Sequence, residues 1–310
     1  MNITQEQLKS VAEKLNTGYV SHEKLSTGAH NLNIKLTTTD GEYVVRIAIP
    51  TRLEDLEKEH RFLRDLNGRF GPKALLFDES KTIIDQPYLV QEYIVGEHPT
   101  KADNEFSERM AQWYQDLHAV GCPPVVPHAD TKGRYSLTHF FDEMILSRYT
   151  PNKDCVPQEW QERIDNLFLR IQSVATEHDQ ILKQARCAIV HWDPNLRNIF
   201  YTKEGIKVVD WEFVSFDAPE WDLVAFLWAH DLHGTEERHF LDAYGYNGDE
   251  QTLTVLMTLF VGLILAWRIK RLHLIRQGSV PDGFKHGEEQ ELIEQFSWLT
   301  EDLEELLTTL

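Results

Sequence analysis

The chain is poor in cysteine. Its 310 residues include only three, Cys122, Cys155 and Cys187, which lie far apart. An odd and scattered set of this kind is neither a disulfide framework nor a metal-ligand spacing. The sequence therefore predicts a chain without a disulfide framework, in a reducing and hence cytoplasmic compartment.

Positive charge is also scarce. Lys and Arg number 31 against 50 Asp and Glu, which gives a net charge of −19. An acidic surface repels nucleic-acid phosphates, so the composition argues against a nucleic-acid partner. It favours a cationic substrate only weakly, because net charge acts first on solubility.

Long apolar runs are almost absent. Residues 252–267 are uncharged, but this run is shorter than the ~20 residues that a membrane span needs, and it has no second copy. Residues 1–15 lack the apolar core of a signal peptide. We therefore expect no membrane span, and we interpret residues 252–267 as a buried helix.

Several nucleotide-binding motifs are missing as well. Neither G-x-x-x-x-G-K-[ST] nor G-x-G-x-x-G occurs, which excludes the P-loop and Rossmann classes. The Asp-Phe-Gly motif of protein kinases does not occur either. Only nine residues separate Asp210 from Glu220, too few for an activation segment that docks a peptide. A protein kinase is therefore disfavoured.

The periodicity that is present predicts an ordered series of elements. A helix over residues 4–16, with Thr4 and Gln7 in a capping box, precedes strands at 31–36 and 43–49 around Asp40-Gly41. A helix at 53–66 and strands at 74–77 and 88–93 follow. Beyond them the pattern is helical, interrupted by a β island at 188–190, 199–201 and 206–209. This predicts an α+β, two-lobed fold with a β-rich lobe over 1–92, a hinge at 93–97 and a helical lobe over 98–310.

The β island contains a polar pattern that suits phosphoryl transfer. It reads His191-x-Asp193-x-x-x-x-Asn198, and Asp210 follows the apolar run IKVV. Transfer of a phosphoryl group needs a carboxylate near the attacking hydroxyl and hard oxygen ligands for Mg²⁺. Asp193 is predicted to be the catalytic carboxylate. Asn198 and Asp210 are the predicted Mg²⁺ ligands, because a hairpin return would bring Asp210 beside Asn198.

These segments resemble the aminoglycoside phosphotransferase and choline kinase superfamily, which has a protein-kinase-like fold. Residues 191–198 (HWDPNLRN) resemble its catalytic loop, residues 208–213 (VVDWEF) its Asp-Trp-Glu metal motif, and residues 219–223 (PEWDL) the segment that follows. The resemblance implies that His191 and Asp222 support the loop structurally and do no chemistry.

The resemblance extends upstream. Residues 26–36 resemble a phosphate loop, 43–47 the strand with the basic residue, 56–66 the next helix and 87–97 the inter-lobe hinge. It implies ATP between the lobes and six nucleotide-binding residues: Gly28, Asn31, Arg46, Glu59, Glu92 and Tyr93. An Arg46–Glu59 ion pair is expected among them.

Some positions depart from the family pattern. Arg46 stands where many kinases have Lys. The positive charge is kept, but the planar guanidinium differs in shape from the ammonium group of lysine. Trp192 and Arg197 stand where small residues are common, and they could narrow the pocket. None of these changes removes a chemical group.

Two functions remain open at this point. The first is an ATP- and Mg²⁺-dependent kinase that transfers the γ-phosphoryl group to a small-molecule hydroxyl of choline, ethanolamine, thiamine, a sugar or an aminoglycoside. The second is a nucleotide-binding protein without catalysis. Four aromatic residues could form a box for a quaternary ammonium but are interpreted as helix core: Trp113, Tyr114, Trp228 and Trp267. The oligomeric state is left open.

Overall fold

A computed structural model of the chain describes residues 3–25, 31–48, 53–127, 130–133, 136–279 and 288–310. The chain divides into two compact units. One comprises Met1–Trp113 and Asp193–Val214, and the other Tyr114–Trp192 and Ser215–Leu310. The lobe and hinge limits given above stay a prediction.

A five-stranded antiparallel sheet in the order β1-β2-β3-β5-β4 forms the main part of the first unit. Its elements are α1 (Gln5–Lys14), β1 (Tyr19–Lys24), β2 (Asn31–Thr38), β3 (Glu42–Ala48), α2 (Leu53–Leu66), β4 (Ala74–Asp78) and β5 (Tyr88–Glu92). The predicted strands and both helices are confirmed. Only β1 was not predicted, and five of its six residues are exposed, so it lacks an apolar alternation.

Helix α1 covers one apolar face of this sheet. Its predicted capping box is present: the Gln7 backbone N–H donates to the Thr4 hydroxyl, and the Thr4 N–H donates to the Gln7 side chain. Leu8 and Val11 pack with Val45, Val90 and their neighbours in the sheet. Each such buried side chain stabilises the fold by roughly 1.5–3 kcal/mol. This packing holds β3 in the interior of the sheet.

A second hairpin in the first unit consists of β7 (Ile199–Thr202) and β8 (Gly205–Val208), in a register from Ile199 opposite Val208 to Thr202 opposite Gly205. The turn places Gly205 at φ +116°, a conformation that favours glycine. A 3₁₀ turn, Trp211–Phe213, follows, and the Trp211 indole N–H donates to the Val208 carbonyl at 2.7 Å. The hairpin is thereby fixed to the segment that follows it.

The predicted β island is in fact two separate sheets. Strand β6 (Ala188–Val190) pairs with β9 (Ser215–Asp217) in the second unit, whereas β7 pairs with β8 in the first. The sequence did not predict β9, because three residues are too few to show a period.

The second unit is mainly helical. Its helices are the end of α3 (Asn104–His118), the short α4 (Leu137–Phe140) and α5 (Ser147–Tyr149), then α6 (Gln158–Glu177), α7 (Glu220–Ala229), α8 (Thr235–Tyr244), α9 (Glu250–Arg276) and α10 (Glu288–Thr309). A π-helical turn, Phe141–Leu146, joins α4 to α5. By length and composition alone α9 could cross a bilayer, yet 61% of its most apolar stretch is buried inside the protein. Residues 252–267 thus belong to a largely buried helix, as predicted.

The cysteine prediction is wrong. Cys122 and Cys187 form a disulfide, with Cα atoms 5.7 Å apart across 65 residues of sequence. Cys155 is a free and buried thiol. The tertiary fold brings together the loop after α3 and the residue before β6, which sequence spacing does not reveal. Cysteine usage therefore gives no support for a reducing compartment.

Candidate active site

The catalytic-loop candidate Asp193 is oriented by its own loop. The Asn198 side-chain amide donates to Asp193 Oδ2 at 2.8 Å, and the Asn195 backbone N–H donates to Oδ1 at 3.3 Å. A 3₁₀ turn, Leu196–Asn198, begins after Asn195, whose side chain accepts from the Arg197 N–H. Both carboxylate oxygens are therefore held by residues within five positions of Asp193.

The β7–β8 hairpin brings together the backbone segments that carry the two predicted metal ligands. The Val209 N–H donates to the Asn198 carbonyl at 2.8 Å, so Asp210 follows directly after the residue paired with Asn198. Asp210 adopts a left-handed backbone, φ 67° and ψ 62°. This conformation costs a non-glycine residue roughly 1 kcal/mol or more, and strain of this kind concentrates at functional sites.

Arg46 joins Asp210 to Glu59. Its Nη2 lies 2.8 Å from Asp210 Oδ1 and 3.2 Å from Glu59 Oε2. Burial lowers the pKa of the Arg46 guanidinium, but the carboxylates of Glu59 and Asp210 outweigh it and hold that pKa above its usual range. The predicted Arg46–Glu59 ion pair is present, and the contact with Asp210 was not predicted.

Asn31 and Glu212 extend this charged cluster. The Asn31 amide donates to Glu212 Oε2 at 3.4 Å, and both residues are buried. The Glu212 charge also contributes to raising the pKa of Arg46. Glu59, Asp210 and Glu212 thus give the site three carboxylates and an acidic character that suits a cation.

Three predicted nucleotide-binding residues remain to be located: Gly28, Glu92 and Tyr93. Gly28 lies outside the described residues. The Glu92 N–H donates to the Lys73 carbonyl at 2.9 Å, and the Tyr93 N–H donates to Glu42 at 3.2 Å. Because both N–H groups are used between strands, contacts with a nucleotide would come from their carbonyls or side chains. Their role stays a prediction.

Asp222 anchors the chain just before Asp193. Its carboxylate accepts the backbone N–H of His191 at 3.0 Å and that of Trp192 at 2.8 Å. His118 Nε2 lies 3.1 Å from Asp222 Oδ2, and both side chains are fully buried. These are the hydrogen bonds expected of a residue that supports the loop.

Sequence reasoning missed a second anchor. The Trp192 indole N–H donates to the Ser215 hydroxyl at 2.7 Å, and that hydroxyl donates to Asp217 at 2.8 Å. Asp217 also accepts the backbone N–H groups of Lys132 and Gly133. Burial raises the pKa of Asp217 to about 6 despite these bonds. The only sequence signal was the Ser-x-Asp alternation of a three-residue strand.

Trp192 itself is a packing residue. Only 6% of it is exposed, and its ring stacks on Phe140 and lies 5.0 Å from the ring of Trp221. Its φ of 75° is held by the bonds described above. A large side chain at this position is therefore accommodated in the core of the second unit.

The aromatic residues considered for a possible box have separate packing partners. Tyr114 packs with His118, Phe226 and Phe240, and Trp228 packs with Phe260 and Trp298. Trp113 is 7% exposed and contacts Phe70 and Trp211 within the first unit. Trp113 and Tyr114 are buried core residues, as predicted, whereas Trp228 and Trp267 are half-buried.

The donor set fits magnesium on a nucleotide. Among the described residues no group of three His, Cys, Asp or Glu forms a metal cage. Mg²⁺ on a nucleotide needs none, because it usually takes one or two protein carboxylates together with phosphate oxygens and water. The Asp210 carboxylate and the Asn198 amide oxygen are hard ligands of the required kind.

The chain matches the model of the phosphotransferase enzyme family (APH) over residues 21–255. It therefore belongs to that family, which confirms the superfamily resemblance seen in the sequence.

Individual relatives are more distant. The Protein LicA homolog of Metamycoplasma hominis is 32% identical over 80 residues, and the match spans 26% of this chain and about a third, 32%, of that relative. The crystal structure of choline kinase LicA from Streptococcus pneumoniae has a TM-score of 0.68 at 18% identity, covering 95% of this chain and 97% of that one. Spectinomycin phosphotransferase APH(9)-Ia, in complex with ADP and spectinomycin, has a TM-score of 0.71 at 12% identity, covering 99% of both chains. The shared feature at these identities is the kinase-like fold.

Proposed function

We propose that this phosphotransferase is an ATP- and Mg²⁺-dependent kinase that phosphorylates a hydroxyl group of a small molecule. The observation that carries the proposal is the single cluster in the first unit that joins Asp193 to Asn198, and Asp210 to Arg46 and Glu59. It contains a carboxylate, two hard oxygen ligands and a charged guanidinium, which are the parts that phosphoryl transfer requires.

Arg46 is the group that binds ATP phosphates in this proposal. Its side chain is 6% exposed and stays charged beside Glu59 and Asp210. These two carboxylates fix the position of the guanidinium before a ligand arrives. Preorganisation of this kind reduces the free energy lost in ordering a side chain on binding.

Asn198 and Asp210 hold Mg²⁺ in this proposal. Because the Asn198 Nδ2 donates to Asp193, its amide oxygen is the atom left to face a metal. When bound, Mg²⁺ would offset the negative charge on the phosphate oxygens.

Asp193 orients the substrate hydroxyl and accepts its proton. The amide of Asn198 and the backbone of Asn195 hold the carboxylate in one orientation. A positioned general base of this kind contributes typically ~10²–10⁴-fold in rate.

A small acceptor suits the chain better than a peptide. The nine residues between Asp210 and Glu220 leave no room for a peptide-docking segment. Two structures of similar fold are a choline kinase and a spectinomycin phosphotransferase. We therefore propose an acceptor in which a hydroxyl lies near a cationic amine, and a cytoplasmic reaction, because ATP is the donor.

The test is ADP release with Mg-ATP across choline, ethanolamine, thiamine, sugars and aminoglycosides. At least one acceptor should be phosphorylated, and Asp193→Ala should lower its kcat by about 10³-fold, with an unchanged circular dichroism spectrum. The control is Asp65→Ala, since the Asp65 side chain is 65% exposed and its one ion pair among the described residues is with Arg64.

Two results would count against the proposal. Near-normal turnover by Asp193→Ala would remove Asp193 from the mechanism. Tight binding of Mg-ATP with no ADP release on any acceptor would favour the non-catalytic nucleotide-binding alternative.

A further inference from the structure

The second unit contains a cavity of about 400 Å³ that none of the proposed phosphoryl-transfer residues line. Small-molecule sites usually have volumes of roughly 300–1,000 Å³, so the cavity is large enough for a compact ligand. Its polar lining comes from Gln115, Arg186, Glu220, Tyr244, Tyr246 and Asn247.

Helices α3, α7 and α8 supply part of the cavity wall, and residues 245–248 after α8 supply another part. Glu220 is the first residue of α7, and Tyr244 is the last residue of α8. Gly245 ends α8 in a left-handed conformation at φ 73°, which favours glycine. The Gln115 side chain donates to the Tyr244 carbonyl at 2.7 Å and so fixes this end of α8 to α3. This part of the wall is therefore held by a contact within the protein.

Glu220 brings a buried acidic group to this cavity. Its Oε2 is buried and has no hydrogen-bond partner in the described part of the chain. Burial raises the pKa of Glu220 even though the charges of His118 and Arg186 act to lower it. Buried carboxylates are normally paired, so a ligand that carries an ammonium group would supply what is missing.

Arg186 brings the opposite charge. Its Nη2 donates to the Tyr244 hydroxyl at 3.4 Å, which is long for a hydrogen bond. No carboxylate of the described residues forms an ion pair with Arg186, although Glu220 lines the same cavity. A guanidinium with most of its donors available is a good partner for a carboxylate group.

We propose that this cavity binds a compact zwitterion, with its ammonium group at Glu220 and its carboxylate at Arg186. A simple cation or a simple anion would satisfy only one of the two protein charges. A molecule that carries both satisfies the two together and leaves no net charge in the cavity.

The cavity is connected to the loop that precedes Asp193. The Tyr244 hydroxyl lies 2.9 Å from His118 Nδ1, and His118 Nε2 lies 3.1 Å from Asp222. Asp222 in turn accepts the backbone N–H groups of His191 and Trp192. A ligand that holds Arg186 restrains Tyr244, and through this chain of hydrogen bonds it restrains the loop.

Binding is tested by isothermal titration calorimetry with glycine and β-alanine as zwitterionic probes, and methylammonium and acetate as probes of one charge. We expect the zwitterions to bind with a Kd on the order of a millimolar and the single-charge probes to bind more weakly. Arg186→Gln and Glu220→Gln should each weaken zwitterion binding by about tenfold.

Matched controls are Arg238→Gln and Glu236→Gln, two exposed residues of α8 outside the cavity, which should bind as the wild type does. Arg186 is itself exposed, so its variant is expected to fold. Absence of zwitterion binding at concentrations well above a millimolar, or equal binding by all four variants, would overturn the site.

The connection to the loop is tested by hydrogen exchange of the His191 and Trp192 amides, with and without glycine. Protection of both amides should increase when glycine binds. Tyr244→Phe removes the hydroxyl but neither charge, so it should keep glycine binding and lose the added protection. Glycine binding without added protection in the wild type would refute the connection. Neither experiment uses nucleotide or turnover, so both outcomes are independent of the proposed kinase activity.

Discussion

At the scale of the residue, Arg46 is the side chain on which the candidate site depends most. Its guanidinium contacts Asp210 and Glu59, and Glu59 is fully buried. A single guanidinium nitrogen, Nη2, reaches both carboxylates and so joins Glu59 to Asp210. The arginine therefore has a structural task as well as the proposed phosphate-binding one.

Loss of Arg46 should destabilise the fold. Arg46→Met leaves Glu59 buried without its cation, and we expect the free energy of unfolding to fall by about 3–5 kcal/mol. The double variant Arg46→Met/Glu59→Gln should recover part of this loss, because no buried charge is stranded. Urea denaturation gives both values, and Arg64→Met, at a side chain that is 59% exposed, is the control. A double variant no more stable than the single one would show that the pair is not coupled.

Asp217 gives a prediction for pH. Burial raises its pKa to about 6, from an ordinary value of 3.8, so the folded state binds a proton that the unfolded state has lost between these values. Its contribution is fully present below pH 3.8 and disappears as pH rises through about 6. As pH rises from 3.8 to about 6, the free energy of unfolding of the wild type should therefore fall by on the order of 1–3 kcal/mol more than that of Asp217→Asn. Parallel pH profiles for the two proteins, from urea denaturation, would contradict the assignment.

At the scale of the element, local signals predicted most of the fold. The Thr4 capping box, the Asp40-Gly41 turn and the apolar spacing of α2 each act over a few residues, and all three elements are present. Strand β1 is mostly exposed and β9 has three residues, so neither has a readable period. The separation of β6 from β7 and β8 depends on tertiary pairing, which no local signal encodes.

The candidate site divides in the same way. Asp193, Asn198 and Asp210 could be predicted from their spacing along one loop and one hairpin. In the structure the Asn198 amide donates to Asp193, and the Asn198 carbonyl accepts from Val209, the residue before Asp210. The hydrogen bond from Arg46 to Asp210 joins residues 164 positions apart, so it could not be predicted from the sequence. The role of Trp192 was not readable either, because its partners Ser215 and Asp217 come from a strand that was not predicted.

The disulfide gives a prediction for the elements that it joins. The bridge connects the loop after α3 to the start of β6 and closes a loop of 65 residues. A crosslink of this kind restricts the unfolded chain, and such bonds typically contribute about 2–4 kcal/mol. Cys122→Ser/Cys187→Ser should therefore unfold at a lower urea concentration than the oxidised wild type.

Reductant separates the effect of the bond from the effect of the substitution. Dithiothreitol should lower the wild-type midpoint towards that of the double serine variant and leave the variant itself unchanged. Cys155→Ser is a poor control because Cys155 is buried, so Ser21→Ala, at an exposed position of β1, serves instead. A wild type that is insensitive to reductant would show that the thiols are not bonded in solution.

At the scale of the whole molecule, the charge of −19 is the dominant property. Like charges on a folded chain repel one another and favour the more expanded unfolded state. Salt screens this repulsion, since the Debye length shortens from about 30 Å at 0.01 M to about 10 Å at 0.1 M. The acidic excess therefore reduces stability in a way that depends on ionic strength.

We expect the thermal midpoint to rise by a few degrees between ~0.01 M and ~0.3 M sodium chloride. Replacing four exposed glutamates by glutamine, at positions Glu13, Glu162, Glu177 and Glu305, should raise the midpoint at low salt and flatten this dependence. Lys183→Gln/Lys203→Gln, also at exposed positions, makes the chain more acidic and should steepen it. Differential scanning calorimetry measures all three proteins under the same conditions. Identical salt dependence in the three would show that specific ion pairs, and not the total charge, control the response.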